Sequence, residues 1–289
     1  GATAYVSLEP CSHHGRQPPC ADALMAAGIA RVVCAIGDPN PEVDGRGIAR
    51  LRAAGVEVEL AGGRHEARAR RQNAGFRTSV VYHRPFVLLK LAASLDGRSA
   101  TATGESRWIS SPESRRLVHA WRASMDAVAV GSGTALADDP GLDARDLDPP
   151  AERQPLRVVF DRRGRLHGGL RLAGEGTLRV APTSASAPPA GVERIDAEDA
   201  ADALRALGAR GITSLLVEGG AELAAGLLRA GLVDAVALFT APLVIGGDGR
   251  GLLGSLGVDA LADAPRLRDL RARSIGPDVL LEAELRCLP

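Results

Sequence analysis

Short runs of β-branched and aliphatic residues alternate with helix-prone segments along most of this chain, and that alternation restricts the fold more than any other feature. Thr3–Leu8 (TAYVSL), Arg31–Ile36 (RVVCAI) and Val56–Leu60 (VEVEL) read as strands. Between them lie helix-prone stretches at Ala21–Ala27 and Ile48–Ala54, stopped by Gly28 and Gly55, whose freedom at positive φ suits a helix C-terminus. Strand–helix–strand order of this kind is the signature of the α/β class.

A charged, helix-prone stretch at Arg64–Arg71 is followed by Tyr82-His83-Arg84-Pro85, which breaks the pattern. A domain boundary is expected there, giving domains at 1–82 and 83–289, each long enough for its own core. The second part opens with a strand at Phe86–Leu91 (FVLLKL). A helix then starts at Ser110 or Ser111: Ser110 with Glu113 fits a capping box, and Ser111 before Pro112 fits an N-cap with proline in the first turn. Further strands are expected at Ala127–Gly131, Leu156–Asp161, Ser214–Glu218, Asp234–Phe239 and Val279–Leu285, and helices at Ala200–Leu207 and Ala221–Ala230. Gly141–Pro155 and Ala181–Ala190 read as loops, and no internal repeat is evident.

Charge and composition remove several classes of function. Thirty-five basic residues balance 35 acidic ones, and only 2 Trp, 2 Tyr and 4 Phe are present, so neither attraction to a polyanion nor base stacking is favoured. Nucleic acid is not an expected partner. No apolar run approaches the roughly 18 residues of a membrane span, so a membrane is not expected either. Four cysteines (Cys11, Cys20, Cys34, Cys287) without a secretory segment point to the cytoplasm and to thiol or metal chemistry.

Two constellations carry chemistry. Cys11 and Cys20 bracket His13, His14 and Gly15 between a strand and a helix, where thiolates are favoured and two of them can hold zinc; two ordinary reduced thiols fit the spacing as well. Downstream, the strand ending at Glu218 runs into Gly219-Gly220 and a helix. Bare N–H groups at a helix N-terminus suit a phosphate, although a tight turn needs the same glycines. Gly249–Gly254 matches G-x-G-x-x-G, with Asp269 beyond it, but Gly257 and Pro265 leave no room for the required helix, so it reads as a surface loop.

Glu9-Pro10-Cys11-Ser12-His13-His14-Gly15-Arg16, Pro18-Pro19-Cys20, Asp38-Pro39-Asn40-Pro41 and Gly45-Arg46-Gly47 resemble the pyrimidine deaminase domain of the bifunctional riboflavin-biosynthesis deaminase/reductase family. The resemblance implies a cytidine-deaminase-like domain in which Cys11 and Cys20 ligate zinc together with a histidine from a His-x-Glu. None of the six histidines in the chain has Glu two positions later, so only two of the three protein ligands are present and deamination by this chain is not expected. Because a strand follows Gly1 directly, the first domain is expected to be N-terminally truncated.

Lys90–Arg98 (KLAASLDGR), Gly104–Ser110 (GESRWIS), Asp126–Gly131, Thr134–Pro140 (TALADDP), Val217–Gly220 and Ala241-Pro242-Leu243 are similar to the reductase domain of the same family. This resemblance implies a dihydrofolate-reductase-like α/β fold, NADPH as hydride donor, and reduction of the ribosyl group of 5-amino-6-(5-phosphoribosylamino)uracil. By matching positions, Ala92, Trp108, Thr134, Asp138, Gly220, Ala221, Glu222, Leu223, Ala224, Ala225 and Gly226 would contact the cofactor. Ser106, Arg122, Leu142, Arg145 and Glu218 would contact the phosphorylated pyrimidine substrate, with the arginine forks suited to its phosphate. Lys90, Asp138 and Glu218 are candidate catalytic groups. Arg115 and His119 recur with Arg122 at helical spacing and fit a solvated basic face equally well, Trp108 fits a packing role, and Arg162 stands where relatives have a small hydroxyl. The resemblance also implies a homo-oligomer joined through the reductase domain. The rival readings are a remnant that only binds ligand, a zinc deaminase alone, and a Rossmann-type dehydrogenase.

Overall fold

A computed structural model describes residues 1–15 and 17–285; Arg16 of the first motif and Cys287 lie outside the described residues. The chain forms two compact units, one of Gly1–His83 and one beginning at Arg84.

In the first unit, β1 (Ala2–Val6), α1 (Cys20–Ala26), β2 (Ile29–Cys34), α2 (Arg46–Ala53) and β3 (Glu57–Leu60) form a parallel sheet of order β1-β2-β3 with crossover helices, followed by α3 (Gly63–Gln72) and α4 (Ala74–Tyr82). Val32 and Val58 point from the sheet onto Ala21, Ile48 and Leu51 of the helices, as the two periods require. The buried Glu9 carboxylate organises the loop before α2. Its Oε2 accepts from Gly45 N–H at 3.0 Å and its Oε1 from Gly47 and Ile48 N–H at 3.1 and 3.2 Å. The helix therefore receives its cap from a distant strand end, since no side chain at Gly45 can provide one. A Cβ at Gly47 would lie 1.7 Å from the Pro10 carbonyl oxygen, so only glycine allows this approach.

The second unit begins with β4 (Phe86–Ser94), β5 (Arg98–Ala100), α5 (Pro112–Ser124), β6 (Ala127–Gly131), α6 (Ser132–Asp138) and β7 (Leu156–Phe160). It continues with β8 (Thr177–Ala181), β9 (Val192–Asp196), α7 (Ala200–Ala209), β10 (Ser214–Glu218) and α8 (Ala221–Arg229). It ends with β11 (Ala235–Ala241), β12 (Arg250–Gly251), β13 (Arg268–Ile275) and β14 (Asp278–Glu284). Nine strands form one sheet in the order β13-β14-β11-β4-β10-β6-β7-β8-β9. It is parallel from β11 to β9, with β14 and β13 added antiparallel at one edge. Both faces of its centre are covered: Ala127, Ala129, Leu215 and Val217 enter one core, and Val128, Val130 and Leu216 the other. This is why the central strands read as unbroken apolar runs. Among the described residues no helix is long and apolar enough to cross a membrane.

The structure differs from the sequence reading in several elements. Strands β8 and β9 flank the Ala/Pro/Ser-rich stretch read as a loop, and the pattern points to neither. Their five-residue runs lie close to Gly174, Gly176 and Gly191, which obscure them. Helix α6 and strand β13 are also additional to the expected elements. Strand β13 has an exposed, arginine-rich sequence with little apolar alternation. The start of α5 is settled in favour of Ser111, whose Oγ accepts from Ser114 N–H at 3.2 Å with Pro112 next. Buried Asp278 at the start of β14 fixes this end, accepting from Ser111 N–H at 2.8 Å and Ser114 Oγ at 2.6 Å.

Two further carboxylates tie strands together. Asp234, just before β11, accepts from both Arg84 Nη atoms at 2.7 Å and from Val87 N–H at 2.8 Å. Asp96, in the β4–β5 turn, accepts from Ser94 Oγ at 2.6 Å, Gly246 N–H at 2.7 Å and Ile245 N–H at 3.1 Å. The Ser94 hydroxyl first, then the two N–H groups, lower its pKa from 3.8 to about 2. A depressed folded-state pKa means that this clamp contributes fully above the ordinary aspartate value and is lost as pH falls through about 2. Amide exchange at Ile245 and Gly246 should therefore stay slow at mildly acidic pH and accelerate in the Asp96→Asn variant. Equal protection in the variant would remove the clamp.

Candidate active site

The parallel strands β4, β10, β6 and β7 end along one edge, and a cleft of about 1510 Å³ opens there. Twelve lysine and arginine side chains line it against eight carboxylates, so the cleft is locally cationic although the chain is neutral.

Its floor follows from strand register. Lys90 on β4 is paired with Glu218 on β10 and with Ala237 on β11, so Lys90, Ala92, Glu218 and Phe239 project from one face of the sheet. Helix α5 lies on that face and delivers Arg122, whose Nε and Nη2 donate to Glu218 Oε1 and Oε2 at 2.6 and 2.9 Å. Both side chains are 12% exposed. The third arm, Nη1, donates to the Asp143 carbonyl at 2.9 Å. Burial pushes the Glu218 carboxyl up, but the hydrogen bonds and charge of Arg122, with Lys90 beyond, outweigh it and hold Glu218 below the usual carboxylate range. Burial pulls Arg122 down, yet Glu218 overcomes it and leaves the guanidinium raised.

Lys90 Nζ lies 5.8 Å from the centroid of the Phe239 ring and has neither a hydrogen bond nor an ion pair among the described residues. Burial lowers its pKa, Glu218 opposes that shift and Arg122 adds to it. His119, one turn before Arg122, has Nδ1 3.0 Å from the Asp143 carbonyl oxygen, and burial followed by the Arg122 charge lowers its pKa.

One wall is the β10–α8 turn. Gly219 and Gly220 sit at φ 70° and 83°, so the turn does need glycine, and α8 also begins without a side-chain cap. The two readings of this segment are compatible. A Cβ on Gly220 would lie 3.1 Å from Thr134 Oγ1, so the bare backbone faces Thr134 across a narrow gap. Free first-turn N–H groups and the helix dipole suit a phosphate there.

Most expected contact residues do line this cleft: Lys90, Ala92, Ser106, Trp108, Arg122, Thr134, Asp138, Leu142, Arg145, Glu218, Gly220, Ala221, Glu222, Leu223 and Gly226. Ala224 and Ala225 do not. Both are 0% exposed, on the face of α8 turned to the core, which excludes side-chain contact with a ligand. Arg122 is also reassigned: its fork is occupied by Glu218, so it positions that carboxylate and is not a free phosphate fork. Arg145 bonds Asp143 Oδ1 at 2.6 Å and lies 3.5 Å from an Asp146 oxygen. Leu142, at φ 53°, buries its side chain with Val130 and Val159. Asp138 faces Arg107, 3.9 Å away.

Arg115 and His119 do not form a solvated basic face. His119 is buried, and Arg115 donates to the Ser110 carbonyl at 2.6 Å and stacks 4.5 Å from the Trp108 ring centroid. Trp108 is 64% exposed, so it is a rim residue and not a packing one. The Gly249–Gly254 segment is not a free surface loop either, because β12 pairs with β5 and places Arg250, Gly251 and Leu252 on the cleft wall. Sequence reasoning misses Arg163, Arg165 and Arg171, which also line the cleft and belong to no motif. Lys90 has a visible signal: a cation inside the apolar run FVLLKL.

In the first unit, Cys20 N–H donates to Cys11 Sγ at 3.4 Å, and burial, then the Cys11 thiol, pushes the Cys20 thiol up. No group of three His, Cys, Asp or Glu that could hold a metal occurs among the described residues. Two thiols alone do not complete a zinc centre.

Residues 85–281, which contain the cleft, match the family model of the RibD C-terminal domain. The riboflavin biosynthesis protein RibD of Escherichia coli K12 is 44% identical over 300 residues, covering 97% of this chain and 81% of that protein. The solved structure of Acinetobacter baumannii RibD (form 1) superposes with a TM-score of 0.85 at 36% identity, covering 98% of this chain and 80% of that one. A diaminohydroxyphosphoribosylaminopyrimidine deaminase/5-amino-6-(5-phosphoribosylamino)uracil reductase from Thermotoga maritima gives 0.82 at 35% identity, covering 96% and 77%.

Proposed function

The chain belongs to the RibD family of riboflavin biosynthesis proteins, and from that premise we propose that its second unit reduces the ribosyl group of 5-amino-6-(5-phosphoribosylamino)uracil to ribityl, with NADPH as reductant. The observation that carries the reading is the Lys90–Glu218–Arg122 floor set beside the uncapped N-terminus of α8 in one cleft. The substrate is the one named for the Thermotoga relative.

NADPH fits the residues present: Gly219–Gly220 leave the backbone bare, and Ala221, Glu222 and Leu223 would offer N–H groups to its pyrophosphate, with Thr134 opposite. When bound, the nicotinamide supplies a hydride to an electrophilic sugar carbon. Arg122 holds Glu218 ionised and fixed in orientation, so that carboxylate can accept hydrogen bonds from sugar hydroxyls. Lys90, close to that charge and without a direct partner among the described residues, donates to the sugar oxygen that becomes a hydroxyl; burial makes it a readier proton donor than a free lysine. Arg145, held by Asp143, lines the same cleft, and Trp108 with Arg115 stacked on it stands at the mouth. Catalysis of this kind is mostly positioning.

The assay is NADPH oxidation with the phosphoribosylaminouracil, followed by mass analysis of the product for two added hydrogens. Binding of NADPH without oxidation would instead identify a ligand-binding remnant. Lys90 must be protonated to act, and its pKa is lowered. The rate should therefore fall on the alkaline side at a pH below the ordinary lysine value of about 10.4. A profile flat to that pH would remove Lys90 as donor.

Cys11 and Cys20 are the two zinc ligands that the family resemblance gives this chain, and the reaction proposed here is the one assigned to the second unit. We place the protein in the cytoplasm as a homo-oligomer joined through the second unit. The exposed edge strand β13 supports that assembly, and light scattering in solution would test it.

A further inference from the structure

We infer that Arg162 and Arg163, at the end of β7, select NADPH over NADH by receiving the 2′-phosphate of the adenosine ribose. The inference rests on the cofactor reading above and adds the residues that decide between the two nucleotides.

Sheet order places them. Lys90 ends the floor on β4, the uncapped α8 follows β10, Ser132–Thr134 follow β6, and Arg162–Arg165 follow β7, beside β8. With strands about 4.8 Å apart, the path from β4 to β8 covers about 19 Å, the scale of an extended dinucleotide laid across the strand ends. A nicotinamide over Lys90 and a pyrophosphate at α8 put the adenosine end over β7 and β8.

What waits there is cationic and held in place. Arg162 and Arg163 are exposed to the cleft, and their guanidinium groups have neither a hydrogen bond nor an ion pair among the described residues. Most other arginines of the cleft are engaged, as Arg122 is by Glu218, Arg145 by Asp143 and Arg165 by Ser132 Oγ at 3.0 Å.

The loop carrying the pair is fixed from below. Asp161, fully buried, accepts from Arg165 and Leu166 N–H, both at 2.9 Å, and from Arg179 Nε at 3.0 Å. Arg179 Nη1 reaches on to the Ser186 carbonyl at 2.7 Å, tying this loop to the one after β8. The Asp161–Arg179 charges pair with each other, which leaves neither Arg162 nor Arg163 in an ion pair among the described residues.

Glu198 and Asp199 line the same end, and a carboxylate there would suit the free ribose hydroxyls of NADH. Both already serve the fold. Glu198 Oε1 accepts from Thr183 N–H and Oγ at 3.2 and 3.0 Å, and Asp199 Oδ1 caps α7 through Asp202 N–H at 2.8 Å. Two free guanidinium forks are what a phosphate monoester requires.

The test uses 2′,5′-ADP and 5′-AMP as probes of the adenosine end, with calorimetry on the full chain and on the Arg162→Ala/Arg163→Ala variant. Both positions are exposed, so an unchanged melting temperature is expected. The wild type should prefer 2′,5′-ADP by about 10- to 100-fold, and the variant should lose that preference while binding 5′-AMP equally well. Arg162→Lys should retain part of it. A preference that survives in the double variant, or none in the wild type, overturns the assignment. Binding of neither probe to the wild type overturns the cofactor reading itself. Turnover gives the same comparison through the ratio of kcat/KM for NADPH and NADH.

Discussion

Lys90→Met is expected to lower reductase kcat by about 10²–10⁴-fold with little change in NADPH affinity. The size follows from what the methionine keeps and what it removes. Its unbranched chain fills the same space beside Phe239 and Ala92, so β4 and the floor should keep their shape. Lost is the floor cation that has no direct partner among the described residues, next to a carboxylate already satisfied by Arg122. Measuring kcat and the NADPH dissociation constant separately distinguishes this from damage to binding. A variant with normal kcat, or one whose defect lies entirely in cofactor affinity, would remove Lys90 from the chemistry and leave Glu218 as the group to examine.

Asp234→Ala should cost about 3–5 kcal/mol of stability in the second unit, the usual penalty for removing one member of a buried ion pair. Arg84 and Asp234 are only 6% and 2% exposed, and Asp234 also accepts the Val87 N–H. Truncation thus takes the carboxylate from the Arg84 guanidinium, which keeps its bond to the Pro85 carbonyl at 2.8 Å, and the acceptor from the Val87 N–H at the start of β4. In a unit of about 200 residues this corresponds to a melting temperature lower by about 6–20 °C. Asp234→Asn keeps the acceptor for Val87 and should fall between the two. If alanine melts with the wild type, the pair is not a stabilising feature.

The course of the central strands was legible because burial on both faces writes itself as continuous apolar runs, as in SLLVE and AVAVG. The helix start at Ser111 was legible to within a residue because proline and serine each have a local chemical reason to be there. Strand β13 and the pairing of β12 with β5 had no such local signature, since their place depends on a partner far along the chain. The same limit governs the site. Motif position located Arg122 and Glu218 but could not reveal that they are partners, because that follows from the register of β10 with β4 and the seating of α5. Ala224 and Ala225 were carried over with their motif, and only the helical period, which turns them inward, separates them from Ala221 and Leu223.

The carboxylate of Glu9 grips main-chain groups alone at Gly45, Gly47 and Ile48. A latch that recognises peptide units is blind to the side chains they carry. The exposed Asp44 and Arg46 side chains therefore stand outside the latch, while the turn itself depends on two glycines: Gly45, at φ 74°, and Gly47, pinned against the Pro10 carbonyl.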